Sequence, residues 1–347
     1  SVAILLDYAG SHKGLTFLGL ALSAVSMLLS MVPYLCIWLV ARDLIAVAPD
    51  WTRAQSITQY GWLAFAFAVG GILLYFAGLM CTHLAAFRCA ANMRKRATER
   101  LMRASLGYFD THASGALRRV VDGCAAETEG LLAHKLPDTA GSIAMIVGML
   151  ALFFAFDWRL GLACLVPVVL SLACMFYMMG GRGMDFMTKY MESLVKMNKT
   201  GTEYVRGIPV VKVFQQTVYS FKAFHDAIEE FTRLAQDYAV KWCQTPQSLS
   251  LTVSNGVAVF LVPVAILLAP GEGDFGTFLA NFAVYAMFSA VIPTAMTRVM
   301  FMSEAFQSAA DAVSRVEEVL AAPVIKAPSN PQAPQGNSIA FEDVSFT

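Results

Sequence analysis

Charge is what this chain has least of. Charged side chains make up 14% of its 347 residues and hydrophobic ones 57%, whereas soluble domains carry about 25% charged residues. Its 25 basic and 25 acidic side chains cancel, so no global field directs it to nucleic acid. Clustered cysteine is absent too. Cys36, Cys81, Cys89, Cys124, Cys164, Cys174 and Cys243 are scattered, mostly in apolar stretches, with no CxxC pair among them. That excludes a clustered-thiol metal site and a disulfide framework and leaves packing as their use. No metal site is expected. A cleaved signal peptide is also excluded: the first apolar run is too long, and no small-residue cleavage site precedes a mature domain.

The missing charges leave six long runs: Gly14–Ala41, Ala54–Phe87, Thr139–Phe156, Leu160–Gly181, Trp242–Gly271 and Phe275–Thr297. About 20 apolar residues cross a bilayer, so each run can cross once, with Thr139–Phe156 the shortest. Spans are expected at about 14–41, 61–87, 139–156, 160–181, 242–271 and 275–297. A single soluble core would not contain six such runs. The fold class is therefore an all-α membrane protein with six transmembrane helices.

Most of the Lys and Arg lie in two connections, Arg88–Asp138 and Arg182–Lys241; the other three connections hold only Arg42, Arg53 and Arg159. Basic residues collect on the cytoplasmic side, which puts the two large connections and both chain ends in the cytoplasm. Those connections are helical by pattern. Met187, Met191, Leu194, Met197 and Tyr204, then Phe221, Phe224, Ile228, Phe231, Ala235, Tyr238 and Trp242, recur at steps of three and four. A helix from Leu160 to Arg206 would be about 70 Å long, far beyond the ~30 Å hydrocarbon layer. The spans thus have long cytoplasmic extensions.

Two short connectors sit at the tips of these arms. One is "LGYFDTHASGALRR" (Leu106–Arg119), the other "RGIPVVKVF" (Arg206–Phe214). Gly107 and Gly115 bracket the first; Gly207 and Pro209 open the second. Glycine ends a helix and proline suits the first turn of the next, so each connector reads as a turn, a short transverse helix and a return. An ordinary hairpin tip fits this pattern as well, but the aromatics Tyr108, Phe109 and Phe214 argue for a docking surface.

These segments resemble the membrane half of ABC transporters with the exporter (type IV) fold, over nearly the whole chain. "YFDTHASG" is similar to that family's first coupling helix, with Tyr108, Phe109, Asp110 and Gly115. "EYVRGIPVVKVF" is similar to its second, with Arg206, Gly207, Ile208, Pro209, Val211 and Phe214. "SAADAVSRVEEVLAAP" (Ser308–Pro323) resembles the last arm, and "IAFEDVSF" the opening strand of a nucleotide-binding domain. The resemblance divides the chain into a transmembrane domain at 1–321, a proline-rich linker at 322–338 and that strand at 339–347. It implies ATP and Mg²⁺ in a nucleotide-binding domain outside this stretch; these residues contain no GxxxxGK[ST] loop and no catalytic residue of their own. It further implies a second transporter half, identical or not, and nucleotide-binding domains as partners in the plasma membrane, of the bacterial inner-membrane kind. The expected cargo is a lipophilic or amphipathic small molecule, exported by alternating access. Two features depart from the common pattern: Val120 and Cys124 stand where many members carry Arg and Asp, and "HKLPD" (His134–Asp138) is unfamiliar in drug exporters. A subgroup of the family imports ferric siderophores, which keeps direction open. A passive channel or receptor is the alternative outside the class.

Polar groups inside spans carry a functional expectation. Asn255 in span five and Asn281 in span six, with Met287, Met296 and Arg298, form the expected substrate pathway. Interhelical glue explains the amides equally well, a methionine-rich core explains the thioethers, and snorkelling to lipid phosphates explains Arg298.

Overall fold

The protein is described here from a computed structural model, covering residues 2–214 and 218–324 with Gly336, Ala340 and Asp343. The expected strand at 339–347 and most of the linker lie outside the described residues. Everything regular within them is helix. α1 (Val2–Ala9) leads into α2 (Lys13–Leu29) and α3 (Val32–Val47), which together make span one, interrupted just ahead of Pro33. α4 (Ile57–Met102) is span two and its extension in one 46-residue rod, about 69 Å long at the helical rise. After α5 (Leu106–Thr111), the chain returns through α6 (Ser114–Arg118), α7 (Ala125–Gly130) and α8 (Leu136–Phe156). Two π-helical turns, Arg119–Cys124 and Leu131–Lys135, join these last three into one rod.

Spans four and five differ. α9 (Trp158–Met179) stops at Gly180, whose ψ of 163° is extended, and α10 (Gly181–Phe214) restarts. The single helix expected from Leu160 to Arg206 is thus broken. Gly180, Gly181 and Gly183 concentrate the weakest helix formers where the span leaves the membrane. α11 (Val218–Asp237) returns through a π-helical turn, Tyr238–Gln244, to α12 (Thr245–Asn255) and α13 (Val257–Leu268). The last two meet at Gly256 with a bend of 40°. α14 (Phe275–Ser289) and α15 (Ile292–Leu320) form span six, interrupted ahead of Pro293. Among the described residues five helical stretches are long and apolar enough to cross a membrane, and six if the bent pair is counted as one span.

Small residues set the tightest contact. α2 crosses α4 where Gly19 meets Gly78; a Cβ on Gly19 would lie 2.7 Å from Gly78 O, so only glycine permits this approach. α2 also packs on α8, and α3 on α4 and α14, while α9 packs on α12 and α13. One apolar core, containing Met31, Met149, Phe153, Leu261, Phe288 and Ile292, fills the membrane part. A second, with Leu5, Tyr8, Met93, Leu132 and Val316, joins the extensions of spans two, three and six. The short α1 is pinned to that second core: Tyr8 donates to Glu317 at 2.7 Å, and Asn92 donates to the Tyr8 carbonyl at 2.8 Å. On α4, Trp62, Ile72, Leu73 and Phe76 stand exposed, as suits a face turned to lipid.

Candidate functional site

The first tip is built by backbone conformation. Ser105, His112 and Ala113 are extended, which isolates the six-residue α5 between two turns. Tyr108 is half-buried against the cluster of Ala97, Leu117 and Val319, and its ring stacks on His112 with centroids 4.0 Å apart. Phe109 and Leu106 point outward, Leu106 being 83% exposed; Asp110 is exposed, and Gly115 sits in open space in α6. The root of the tip is tied to the end of α15. Ala104 and Val324 form an antiparallel bridge, Ser105 N donates to Pro323 O at 3.3 Å, and Arg100 Nε donates to Ala322 O at 2.9 Å.

At the second tip the turn expected at Gly207 and Pro209 is absent: α10 runs on through Phe214. Pro209 is exposed near the helix end, so its missing N–H removes one rung without breaking the helix. Arg206 is exposed, while Gly207 and Ile208 are half-buried. The side chains of Val211 and Phe214 lie outside the described residues. The α10–α11 hairpin is held by the Lys196–Glu230 ion pair at 2.6 Å and by stacked Tyr190 and Tyr238 rings. Between its helices lies a largely apolar groove of about 830 Å³, lined by Met197, Gly201, Val205, Arg206, Phe224 and Phe231.

The five residues expected along the pathway are spread over depth. Asn281 is 8% exposed, and its Oδ1 accepts from Trp38 Nε1 at 3.0 Å. Measured from Phe275 along the helix, it lies about 9 Å in, and Arg298 about 35 Å in. Asn255 is exposed at the Gly256 bend, its amide donating to Leu251 O at 2.7 Å. Met287 is half-buried against the membrane core, and Met296 is buried within it. Arg298 is half-buried at the inner end of span six.

Sequence reasoning missed three polar side chains here, because an aromatic hydroxyl or indole inside an apolar run gives no pattern of its own. Trp38 is one. Tyr285, fully buried, places its hydroxyl 2.6 Å from Phe153 O and 2.7 Å from Asp157 O and accepts from Asp157 N at 3.0 Å. Beside it Arg159 pairs with Asp157 and Glu272 at 3.1 and 2.6 Å, tying the turn before α9 to the turn before α14. The third is Tyr75, which donates to Asp138 Oδ1 at 2.6 Å. Among the described residues no group of three or more His, Cys, Asp or Glu is placed to hold a metal.

Residues 16–292 match the sequence profile of the ABC transporter transmembrane region. Among similar proteins is the mycobactin import ATP-binding/permease protein IrtA of Mycobacterium tuberculosis, 27% identical over 58% of this chain and 23% of that protein. The protein of the same name from Mycolicibacterium smegmatis is 25% identical over 70% of this chain and 27% of its own. A multidrug resistance ABC transporter ATP-binding and permease protein of Lactococcus lactis is 22% identical over 66% of this chain and 38% of its own. The chain therefore spans well under half the length of each of these relatives. With most of the chain lying within the matched region, the chain belongs to the family of ABC transporter transmembrane regions.

Proposed function

We propose that this chain is one transmembrane half of an ATP-driven transporter that moves an amphipathic small molecule across the plasma membrane, paired with a second half, identical or not. One observation carries this reading: one end of the bundle is sealed by hydrogen bonds and ion pairs, while helices at the other end extend far beyond a bilayer's thickness into two tips. Such a shape suits alternating access, with nucleotide-binding domains holding ATP and Mg²⁺ drawing the tips together and opening the outer face. In this reading both chain ends are cytoplasmic. Tyr108, Phe109, Asp110 and Gly115 belong to one docking tip; Arg206, Gly207, Ile208, Pro209, Val211 and Phe214 belong to the other.

For the cargo, the import of a lipophilic iron chelate is the reading favoured by the two relatives named for mycobactin import and by Val120 and Cys124 at the departing positions. Export of a lipophilic compound is the second reading, supported by the multidrug relative from Lactococcus. The deciding experiment uses the full-length protein with its partner half in proteoliposomes. ATP-dependent uptake of ferric mycobactin from the outer face supports import, and ATP-dependent extrusion of a lipophilic dye supports export. Equal flux with and without ATP would make it a passive pore and sink the proposal. Sidedness is tested by Leu106→Cys and Trp158→Cys, both exposed, in a background without the native cysteines. An impermeant thiol reagent should label the first only in inverted vesicles and the second only from outside; the buried Cys124 is unsuited to that test.

A further inference from the structure

Where the turn before α9 meets the turn before α14 lies a cavity of about 550 Å³, a size that suits a small organic ligand. α8 and α9 line it with Phe154, Phe156 and Trp158, and α14 with Phe278 and Asn281. Trp38 of α3 fixes two of these. Its ring meets Phe156 edge-on with centroids 4.8 Å apart, and its indole N–H donates to Asn281 Oδ1 at 3.0 Å. An indole N–H can only donate, so Asn281 turns its oxygen to Trp38 and its NH2 the other way. That NH2 has no hydrogen-bond partner among the described residues, although Asn281 is only 8% exposed. Nor is it walled in by protein: among the described residues, Thr16 Oγ1 alone is both enclosed and unpartnered. A donor without an acceptor thus stands at the cavity wall.

The rim is acidic. Asp157, Glu272 and Asp274 line the cavity, and Arg159 is the one basic side chain beside them among the described residues. A single guanidinium nitrogen contacts both Asp157 and Glu272, whose side chains are 9% and 19% exposed. Two carboxylates that share one cation keep an excess negative charge after losing most of their water. Aromatic faces attract a cation as well. An anion would be repelled here, and a neutral apolar molecule would leave both the charge and the amide unserved. An organic cation with an acceptor oxygen serves the carboxylates, the rings and the NH2 together.

We propose that this cavity binds an organic cation from water, an alkyl or quaternary ammonium that also carries a carbonyl. Its charge lies toward Glu272 among the aromatic rings, and its carbonyl accepts from Asn281. Because the cavity is walled by the two turns that Arg159 ties together, the occupant clasps this end of the bundle in its closed arrangement. The site rests on neither the cargo nor the direction of transport. Choline-headed lipid offers the same cation. The three carboxylates lie in the turns, beyond the ends of α8 and α14, which favours a ligand that arrives from water.

The test is calorimetric binding of three probes to the full-length protein with its partner half in maltoside micelles. The probes are the phenylpropionyl ester of choline, the same ester with tert-butyl in place of trimethylammonium, and the choline ether that lacks the carbonyl. The wild type should bind the choline ester about tenfold more tightly than the carbon isostere and about fivefold more tightly than the ether. Glu272→Gln should shrink the first preference to about threefold or less and keep the second. Asn281→Leu should do the reverse. Each preference is a ratio measured on one protein, so a loss of stability does not imitate its disappearance. If Asn281→Leu does not fold, Glu272→Gln decides alone. Equal binding of the choline ester and its carbon isostere by the wild type would overturn the proposal and leave the rings as lipid-facing aromatics. Unaltered preferences in Glu272→Gln would overturn it too. Short-chain phosphatidylcholine that displaces the choline ester as well as the ester displaces itself, where phosphatidylglycerol does not, would give the cavity to lipid and overturn the water-borne ligand. Binding requires no ATP hydrolysis. A protein that keeps these preferences but drives no transport with ATP would sink the transporter reading and leave this site standing.

Discussion

The two ends of this bundle are held by different physics. The end that the proposed topology puts outside is latched by directed polar contacts: the Tyr285 hydroxyl on the Phe153–Asp157 backbone, Arg159 between Asp157 and Glu272, and Trp38 on Asn281. The end that this topology puts in the cytoplasm has an apolar core that joins the extensions of spans two, three and six with α1. The α10–α11 hairpin packs on itself, on α9 and on the turn Tyr238–Gln244. Hydrogen bonds are short-ranged and directional, so a latch made of them opens all at once. Long helices joined by slack turns instead transmit a push over their length. In the proposed transporter this contrast would make the first end a gate and the second a set of levers.

The largest expected effect breaks the gate. Tyr285→Phe removes one hydroxyl that serves three backbone groups in a buried site, a loss of about 1–3 kcal/mol. Thermal unfolding should shift down, and amide exchange should quicken around Phe153–Arg159 while exchange in α10 and α11 stays the same. An unchanged melting temperature would mean that the outer end is held by apolar packing alone.

The next effect concerns the levers. If Phe214 anchors the second tip in a nucleotide-binding domain, Phe214→Ala should cost about 2 kcal/mol of docking, as buried aromatic anchors do. In the full-length transporter, substrate-stimulated ATP hydrolysis should fall to the basal rate with nucleotide binding intact. Full stimulation in that variant would remove this tip from coupling. The first tip, tied to Ala322–Val324 by its own chain, should tolerate loss of one outward apolar side chain, Leu106→Ala, with a smaller drop.

Much of this contrast was legible in the sequence, because it rests on one-dimensional signals. Uncharged runs delimit the spans, three-four periodicity extends them into arms, and the basic residues mark one side. Gly107, Gly115, Gly207 and Pro209 marked both tips, yet only the first became a separate helix. Extended Ser105, His112 and Ala113 cut it off, whereas α10 carries Pro209 inside it and runs on to Phe214. The gate was illegible for a physical reason. Tyr285 and Trp38 read as apolar filler until the fold shows which oxygen each polar atom meets, and Asp138 acquires a partner only when α4 brings Tyr75 to it. Asn255 and Asn281 looked alike in sequence; burial and partners separate them.

That separation gives a third, smaller effect. Asn281→Leu leaves the Trp38 indole N–H without its acceptor at the seam between α3 and α14, and should destabilise by about 1 kcal/mol. Asn255 satisfies its amide on its own helix at an exposed bend, so Asn255→Leu should leave the melting temperature alone. If Asn255 faces the pathway as expected from the sequence, that variant instead shifts the apparent affinity in substrate-stimulated ATP hydrolysis. Equal destabilisation by both substitutions, with an unaltered substrate response, would reduce both amides to bundle glue.

The smallest effect tests whether an exposed polar contact at the outer end matters as the buried ones do. Asp274 caps α14: its carboxylate accepts from the Thr277 hydroxyl at 2.5 Å and from Thr277 N at 3.1 Å. Those bonds, the hydroxyl first, hold its carboxyl below the usual carboxylate range. A depressed carboxyl stabilises the folded state above its unfolded pKa of about 3.9, and that stability is lost as pH falls through the folded value. Asp274→Ala should therefore melt slightly below the wild type near neutral pH, and the gap should close as pH is lowered below about 4. Because the side chain is exposed, water screens and competes for the contact, so the shift should be well below that of Tyr285→Phe. A gap of constant size across the pH range would show that the carboxylate charge has no part in the cap. A gap as large as that of Tyr285→Phe would erase the distinction between a buried latch and an exposed one.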